Sequence, residues 1–271
     1  MKRKLFLFVA LLPLGFQLNA QQLNAPHLSP SGLFDTDLRG PVKMVKTVYR
    51  DSMMDMTSTV TNYYNKAGLL ERTVHKSFDG FSMEERYQYN KSGKLVCYRN
   101  DFLQISYFEY DKRGCLTRIV DVDSTDESNI AYDTTLIECD ANGRMKYVKT
   151  AVKSAYYPTI IRTDTIVYDA NGRIASILKG SGSNHYTYNS NGHMLTEKNA
   201  KNGCTYNVYN DKGFIVSTRF ESTSKTNPVY NRHEYSYSGK YDKHGNWLRR
   251  LDVEIDNGST IIETRTITYY P

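Results

Sequence analysis

The chain has 271 residues, with 35 Lys and Arg against 29 Asp and Glu, and its formal net charge is +6. This excess is mild and contains no block of Lys or Arg, so no nucleic-acid partner is expected. The 23 Tyr and the many Thr, Val and Ile residues favour strands, and no stretch beyond residue 20 has a convincing helical period. We therefore expect an all-β protein.

The first twenty residues have the features of a secretory signal peptide. Lys2, Arg3 and Lys4 precede an almost wholly apolar run from residue 5 to residue 16, and Ala20 follows. The apolar run is short for a membrane span, although an uncleaved anchor is the rival interpretation. We predict cleavage after residue 20, which lowers the net charge from +6 to +3 and leaves no transmembrane anchor. The exported protein would be periplasmic, on the outer surface or secreted.

The rest of the chain divides into a lead-in and one repeat region. Residues 21–38 are polar, contain Pro26 and Pro30, and are predicted to be extended. From residue 39 to residue 271 a repeated pattern continues without a linker, which predicts a single β domain. Its first strand should open directly after Gly40 and Pro41, since a proline is tolerated at a strand start.

The pattern is clearest between Ile166 and Ile174. Asp169 and Gly172 are the first and fourth residues of a four-residue segment, which is the signature of a type I hairpin turn. The Asp carboxylate can accept a backbone N–H two residues on, and Gly can take the left-handed conformation that closes the turn with a bulge. The unit is therefore strand, turn, strand.

Eight copies of this unit share a Gly and, two residues after it, a large apolar residue; Tyr precedes the turn in seven copies and Cys139 in one. The copies are Tyr64, Gly68, Leu70; Tyr89, Gly93, Leu95; Tyr110, Gly114, Leu116; Cys139, Gly143, Met145; Tyr168, Gly172, Ile174; Tyr188, Gly192, Met194; Tyr209, Gly213, Ile215; and Tyr241, Gly245, Trp247. Random turns would not keep both partners of a cross-strand pair, so the repeat is genuine.

The turn also predicts a register. If Gly172 and the next residue together oppose Asp169, Tyr168 faces Ile174 and Ile166 faces Ser176. These four side chains should share one apolar face. The opposite face should be wet, because it carries Gln88, Glu109, Glu138, Thr187 and Lys240.

Tyr-Asp-x-x-Gly-x-aliphatic resembles the YD repeat of RHS-type proteins, and the resemblance covers roughly Tyr64 to Trp247. It implies hairpins wound into a β-shell, which in large RHS proteins is hollow and encloses a toxin. This chain is far shorter than those shells, and it looks more like the small signal-peptide-bearing YD-repeat proteins of Bacteroidota.

Return turns are predicted at the opposite ends of the strands. Asp79-Gly80 resembles a two-residue hairpin, and Asp256-Asn257-Gly258 should join the last two strands. Longer returns at residues 121–129, 152–158 and 221–228 make this side variable in length, and variable loops often bind ligands. The result is an antiparallel meander of about 16–18 strands. Its apolar face must be covered, so we expect a flattened barrel, a sandwich or a partial RHS-like shell.

Candidate chemistry is sparse. The acidic run Asp121, Asp123, Asp126 and Glu127 has oxygen ligands but fails the calcium-loop pattern, so a solvated loop is favoured. None of the six His residues has metal-ligand spacing from another. We expect no catalytic, cofactor-binding or metal site, and hence no enzyme.

Cysteines and surplus tyrosines leave alternatives open. Cys97 and Cys139 should share the Tyr face, whereas the pairing of these two with Cys115 and Cys204 is undetermined. Tyrosines outside the repeat could stack on sugars or peptides, or could simply pack as strand residues. They are Tyr98, Tyr107, Tyr147, Tyr156, Tyr157, Tyr206 and Tyr230.

The function predicted from these observations is an exported, non-enzymatic β-repeat scaffold that binds a glycan or a protein at the cell envelope. Two alternatives stay open. The chain could be a structural or encapsulating relative of RHS toxin shells, which the motif alone suggests. It could also be an envelope hydrolase whose site is not recognisable in the sequence.

Overall fold

In a computed structural model, the chain is described at residues 38–123, 131–152, 160–179, 182–199, 201, 203–223 and 230–271. These residues form eighteen antiparallel strands and no helix. Within the described ranges there is no helix that is long and apolar enough to cross a membrane. The predicted signal peptide and nearly all of the lead-in lie outside the described residues.

The strands follow one another along the chain with short connections. They are β1 (Val42–Asp51), β2 (Met56–Tyr64), β3 (Leu70–Lys76), β4 (Ser82–Tyr89), β5 (Leu95–Asn100), β6 (Gln104–Tyr110), β7 (Leu116–Asp123), β8 (Ala131–Cys139), β9 (Met145–Val152), β10 (Ile160–Tyr168), β11 (Ile174–Lys179), β12 (Gly182–Tyr188), β13 (Met194–Asn199), β14 (Gly203–Tyr209), β15 (Ile215–Ser222), β16 (Tyr230–Tyr237), β17 (Arg249–Glu254) and β18 (Thr260–Tyr269).

The sheet closes on itself as a barrel. Every strand pairs antiparallel with the next one, and β18 pairs with β1 from Tyr269 opposite Val42 to Ile261 opposite Asp51. Closure leaves no strand edge with unpaired backbone groups, which is how up-and-down barrels avoid edge-to-edge aggregation. Both the all-β class and the predicted strand number are confirmed, and a barrel is the predicted shape that the chain adopts.

The barrel has two ends, which differ in their turns. At one end, here called the turn edge, seven Asp/Asn-x-x-Gly turns join β2 to β3 and each following even-numbered strand to the next, up to β14–β15. The eighth turn lies inside the longer connection from β16 to β17. The opposite end, here called the return edge, carries the turns that join β1 to β2, β3 to β4 and so on.

The inner face is apolar over one arc and polar over the other. From β3 to β13 the buried core includes Leu116, Ile119, Ile174 and Met194, each 0–1% exposed. Around the rest of the ring, from β14 to β2, the buried inner residues are largely polar. They include Asn207, Thr218, Asp252, Glu263, Thr47 and Asn62. The predicted wet face is present, since Gln88, Glu109, Glu138, Thr187 and Lys240 are all exposed.

The register agrees with the prediction at the turn and departs from it one pair further on. Tyr168 pairs with Ile174 as predicted, but Ile166 pairs with Ile177, and Ser176 pairs with Val167. A second bulge therefore follows the turn, and the same shift recurs in the other six hairpins of the turn edge. The prediction that Ile166 faces Ser176 is wrong because it allowed only for the bulge inside the turn.

This second bulge changes which residues share a face. After each turn the inner residues are three apart rather than two, as in Leu116 and Ile119 or Met145 and Val148. Cys97 pairs with the exposed Gln88, so it lies on the outer face and not with the tyrosines as predicted. A bulge moves every following side chain to the other face, which is the physical reason for the error.

One predicted turn also needs correction. Asp79-Gly80 is not a two-residue hairpin, because Ser77 N–H bonds to Phe81 O (2.9 Å) and Gly80 N–H bonds to Ser77 O (3.2 Å). That is the same hydrogen-bond pattern as in the turn-edge turns. The eighth turn keeps this pattern too, since Asp242 N–H bonds to Asn246 O (2.9 Å), and Tyr241 pairs with Trp247 as predicted, although only as an isolated bridge between β16 and β17.

Candidate functional site

The turns of the turn edge are nearly identical. In the copy around Asp169, its Oδ1 accepts N–H bonds from Asn171 and Arg173, both at 2.9 Å, and Gly172 has φ +76°. All eight repeat glycines have φ between +75° and +85°. Burial opposes ionisation of Asp169, but the Arg173 N–H and guanidinium outweigh it, so the pKa of Asp169 lies below its usual value. The carboxylate is therefore ionised, and its oxygens accept hydrogen bonds within the turn.

Five of the seven motif tyrosines donate a hydrogen bond to the preceding repeat. Tyr168 donates its hydroxyl to the carbonyl of Met145 at 2.8 Å, and Tyr188 donates to the carbonyl of Ile174 at 2.8 Å. Tyr89, Tyr110 and Tyr209 make the same bond one repeat back. Burial raises the pKa of Tyr168 to about 12, so the hydroxyl stays protonated and can donate. These bonds link successive hairpins in addition to the strand ladder.

In five copies the side chain that follows Gly contacts the tyrosine ring of the next repeat. Arg144 lies over the ring of Tyr168 at 4.4 Å, and Arg173 lies over that of Tyr188 at 4.7 Å. The rings are consequently half-buried, whereas most of their aliphatic partners are fully buried. The turn edge thus consists of repeats that are bonded to one another.

The one repeat without a tyrosine uses a disulfide in its place. Cys139 occupies the tyrosine position, and it is bonded to Cys115, the residue that follows Gly114 in the preceding repeat. The covalent bond therefore joins the same two positions that an Arg or Lys and a Tyr join elsewhere. Cys97 and Cys204 are free.

Polar side chains occupy the interior towards the return edge. Glu85 accepts hydroxyl bonds from Tyr87 (2.9 Å) and Tyr98 (3.0 Å) and lies 3.4 Å from His75. Burial opposes its ionisation, but these bonds and the His75 charge dominate, so the pKa of Glu85 is lowered. The surplus Tyr98 is thereby assigned to this buried network.

A second network lies on β12 and β13. Glu197 accepts a bond from Asn184 Nδ2 at 2.9 Å and one from the Tyr186 hydroxyl at 3.4 Å. Burial raises its pKa despite these two bonds and the charge of Lys179. The two networks share their Tyr–Glu core and differ in the side chain bonded to the carboxylate, which is His75 for Glu85 and Asn184 for Glu197.

A third group fills the interior at β16–β18. His233 Nδ1 lies 2.8 Å from Asp252, and Arg250 binds Glu263 through two nitrogens at 2.9 and 2.6 Å. Burial lowers the pKa of His233, but Asp252 more than offsets this and the net shift is upward. Each ionisable group here has an ionic partner, as buried charges require.

The return edge itself is different, because its turns expose large apolar side chains. Four adjacent turns, β17–β18, β1–β2, β3–β4 and β5–β6, carry them, and we call the set the apolar rim. It comprises Ile255, Met53, Met54, Phe78, Phe81, Phe102 and Leu103, exposed by 45–65%. Exposed apolar groups that lie side by side are typical of interaction sites.

The remaining predicted candidates fall elsewhere. Asp126 and Glu127 of the acidic run, and Tyr156 and Tyr157, lie outside the described residues, whereas Asp121 lies in β7 and accepts a bond from the Ser106 hydroxyl at 2.5 Å. Tyr107 is exposed on the outer face, and Tyr206 contacts the Arg219 guanidinium. Among the residues that are described, no group of three or more His, Cys, Asp or Glu could hold a metal. The apolar rim was not predicted from the sequence, although Met53-Met54 and Phe102-Leu103 are apolar pairs next to the turn-forming residues Asp51 and Asp101.

Comparisons with known proteins identify likenesses of fold. No family model matches the chain, and neither does any curated protein. A porin-like protein from Bacteroides uniformis has a TM-score of 0.48 at 13% identity, covering 85% of this chain and 98% of that one. The toxin complex TcdB2-TccC3, solved with Cdc42 and also without its hypervariable C-terminal region, has a TM-score of 0.29 at 13% identity in both structures. Those matches cover 79% of this chain, which spans 15% of the length of that one.

Proposed function

We propose that the chain is an exported, non-enzymatic β-barrel scaffold that binds a protein partner at the cell envelope through its apolar rim. Export is supported by the basic start and apolar run of residues 1–20. A non-enzymatic role is supported by the interior, where titratable groups are bonded to neighbouring side chains. Glu85 is bonded to Tyr87, and Asp252 is bonded to His233. The rim is the observation that carries the proposal.

Two contacts join neighbouring parts of the rim. The Phe81 and Phe102 rings stack with their centroids 5.9 Å apart, which joins the β3–β4 turn to the β5–β6 turn. Ser52 donates both its N–H and its hydroxyl to the carbonyl of Thr260, each at 2.9 Å, which joins the β1–β2 turn to β18. The exposed apolar side chains therefore lie on turns that are held next to their neighbours.

The rim is also held in place before any partner arrives. Glu84 N–H donates to Asp101 Oδ2 at 2.7 Å, and Arg232 N–H donates to Asp256 Oδ2 at 2.9 Å. Leu103 has φ +59°, a left-handed conformation that is costly for a non-glycine residue and that clusters at binding sites. A surface ordered in advance loses less entropy on binding.

The charges of the rim indicate the chemistry of the partner. Residues 51–55, 77–81, 101–103 and 255–259 contain five aspartates and no Lys or Arg. A partner that buries the rim must therefore be apolar and basic, because like charges would repel. Four of the seven rim side chains, Ile255, Met53, Met54 and Leu103, offer no flat ring for a sugar to stack on, which favours a protein over the glycan alternative.

The test is binding of the purified chain to an array of apolar peptides with basic or acidic flanks, beside a glycan array. We expect basic apolar peptides to bind. We expect the variant Phe81→Ser/Phe102→Ser to lower the affinity for these peptides at least about tenfold. The matched control is Leu136→Ser/Val208→Ser, which removes two equally exposed apolar groups of the outer face away from the rim. Binding to glycans alone, or equal loss in both double variants, would overturn the proposal.

A further inference from the structure

A basic surface covers the outer wall of β1, β17 and β18. Along these strands the inward positions hold the buried Thr47, Asp252 and Glu263, so the alternate positions face outwards. In β17 and β18 the outward positions carry Arg249 and no carboxylate. Lys46 and Arg50 occupy the outward positions of β1 beside them. An anion approaching this wall therefore meets Lys46, Arg249 and Arg50, of which Arg50 is paired with Asp55.

The wall contains a groove of about 550 Å³. Its lining includes Val48, Arg50, Lys240, Leu248, Arg249 and Ile262. The strand register explains this grouping, because Val48 pairs with Thr264, Thr264 pairs with Arg249, and Arg50 pairs with Ile262 in the next row. The groove thus combines the cations Arg50, Lys240 and Arg249 with three aliphatic side chains.

The groove exists because the eighth repeat departs from the other seven. Strand β17 has only six residues and begins at Arg249, so the tight turn at Asp242–Asn246 lies inside a longer connection, residues 238–248. Leu248 N–H bonds to Lys240 O at 2.9 Å, and Arg265 N–H bonds to Leu248 O at 2.8 Å. This connection carries Lys240 and Leu248 to the side of β18 and forms one wall of the groove.

We infer that this groove binds an anionic group, a phosphate monoester or a carboxylate, carried on an apolar chain. Within the described residues, Lys240 and Arg249 have no carboxylate partner. Arg50 pairs only with Asp55, at 2.9 Å in a highly exposed position, and an exposed pair of this kind is readily exchanged. The cations fit the anionic head, and Val48, Leu248 and Ile262 fit the apolar chain. This site is separate from the apolar rim and does not depend on its function.

The probe is octyl phosphate below its micelle concentration, measured by calorimetry on the purified chain. Inorganic phosphate and octyl glucoside serve as the head-only and chain-only probes. We expect octyl phosphate to bind at least about tenfold more tightly than either, since both parts of the groove are then used. No binding of octyl phosphate would overturn the inference, and so would equal binding of octyl glucoside or of inorganic phosphate.

The variant Lys240→Gln/Arg249→Gln should bind octyl phosphate at least about tenfold more weakly than the parent chain does. Both side chains are exposed, so its melting temperature should match that of the parent chain. The charge-retaining Lys240→Arg/Arg249→Lys should keep the affinity. Lys91→Gln/Arg99→Gln, which removes the same two charges at exposed positions elsewhere, should also keep it. Equal weakening in Lys91→Gln/Arg99→Gln would mean that only net charge matters and would contradict a site in the groove.

Discussion

The two ends of the barrel are built on opposite rules. At the turn edge every repeat has the same Asp or Asn cap and the same left-handed Gly, and most have a tyrosine bonded to the repeat before. At the return edge the turns differ in length and sequence, and four of them expose the apolar rim. At the turn edge one set of contacts recurs from repeat to repeat, whereas at the return edge each turn is held by different bonds, such as those of Ser52 to Thr260 and of Glu84 to Asp101. The contacts that recur in every repeat therefore lie at one end of the barrel, and the exposed apolar side chains lie at the other.

The largest expected effect is at a motif tyrosine. Tyr168→Ala removes a half-buried ring, its bond to Met145 O and its contact with Arg144, and should destabilise by about 2–4 kcal/mol. Tyr168→Phe isolates the hydrogen bond and should cost about 1 kcal/mol. Urea unfolding measures both. Gln88→Ala, on the exposed outer face, should change little, and an equal cost there would argue against an interlocked turn edge.

Variants of the disulfide test whether an Arg–Tyr contact can stabilise this repeat as well as the covalent bond does. Cys139→Ser removes a bond between residues 24 apart in sequence and should destabilise by about 2–4 kcal/mol. Cys115→Arg/Cys139→Tyr installs the Arg–Tyr pair of the neighbouring repeats, and it should recover most of that loss. Thermal melting under non-reducing conditions compares the three chains. Failure of the double variant to exceed Cys139→Ser would show that this repeat is not equivalent to the others.

The turn glycine should show a somewhat smaller effect. Gly172 has φ +76°, so Gly172→Val forces a β-branched residue into the left-handed region at a cost of about 1–3 kcal/mol. Lys112→Ala, inside another turn but without that conformational demand, is the control and should be nearly neutral. Comparable melting shifts for the two variants would contradict a shared turn geometry.

The interior networks should respond to pH in opposite directions. The lowered pKa of Glu85 means that its carboxylate contributes stability above about pH 4.5, which is lost as pH falls through the folded-state pKa. The raised pKa of Glu197 means that its protonated form contributes stability below about pH 4.5, which is lost as pH rises through the folded-state pKa. Glu85→Gln should therefore cost about 1 kcal/mol at pH 7 and less at pH 4.

Glu197→Gln is the matched comparison. It keeps an acceptor for Asn184 and removes the burial penalty of the charge, so it should be nearly neutral at pH 7 and more costly at pH 4. Melting temperatures at the two pH values measure both variants. If both lost the same stability at both pH values, the networks would be equivalent and the difference made by His75 would be absent.

The sequence predicts the turn edge well because its signals are local. A Gly at the fourth turn position and a Tyr opposite an aliphatic residue follow from backbone sterics and side-chain alternation alone. The second bulge was missed because it leaves no Gly or Pro behind. The second bulge is visible in the sequence only as the three-residue spacing of Leu116 and Ile119, and this spacing can be interpreted only when the strand register is known. The pairing of Cys115 with Cys139 was missed because it depends on the contact between repeats.

The sequence predicts binding sites less well, because they depend on which turns become neighbours. Met53 and Phe102 are 49 positions apart, and nothing local connects them. Strand order places their turns two hairpins apart on one rim. The outer groove likewise joins Arg50 to Arg249 through the closure of the barrel, and closure is a property of the whole ring.

The smallest expected effect on stability is at the rim, and it sharpens the contrast between the two ends. Phe81 and Phe102 are about half exposed, at 52% and 48%, and contact chiefly each other. Phe81→Ser/Phe102→Ser should therefore shift the free energy of unfolding by less than about 0.5 kcal/mol, the usual range for surface changes. The melting temperature should also stay the same or fall only slightly. A loss comparable to that of Tyr168→Ala would mean that the rim is a structural element of the barrel, and the argument that it is kept apolar for a partner would fail.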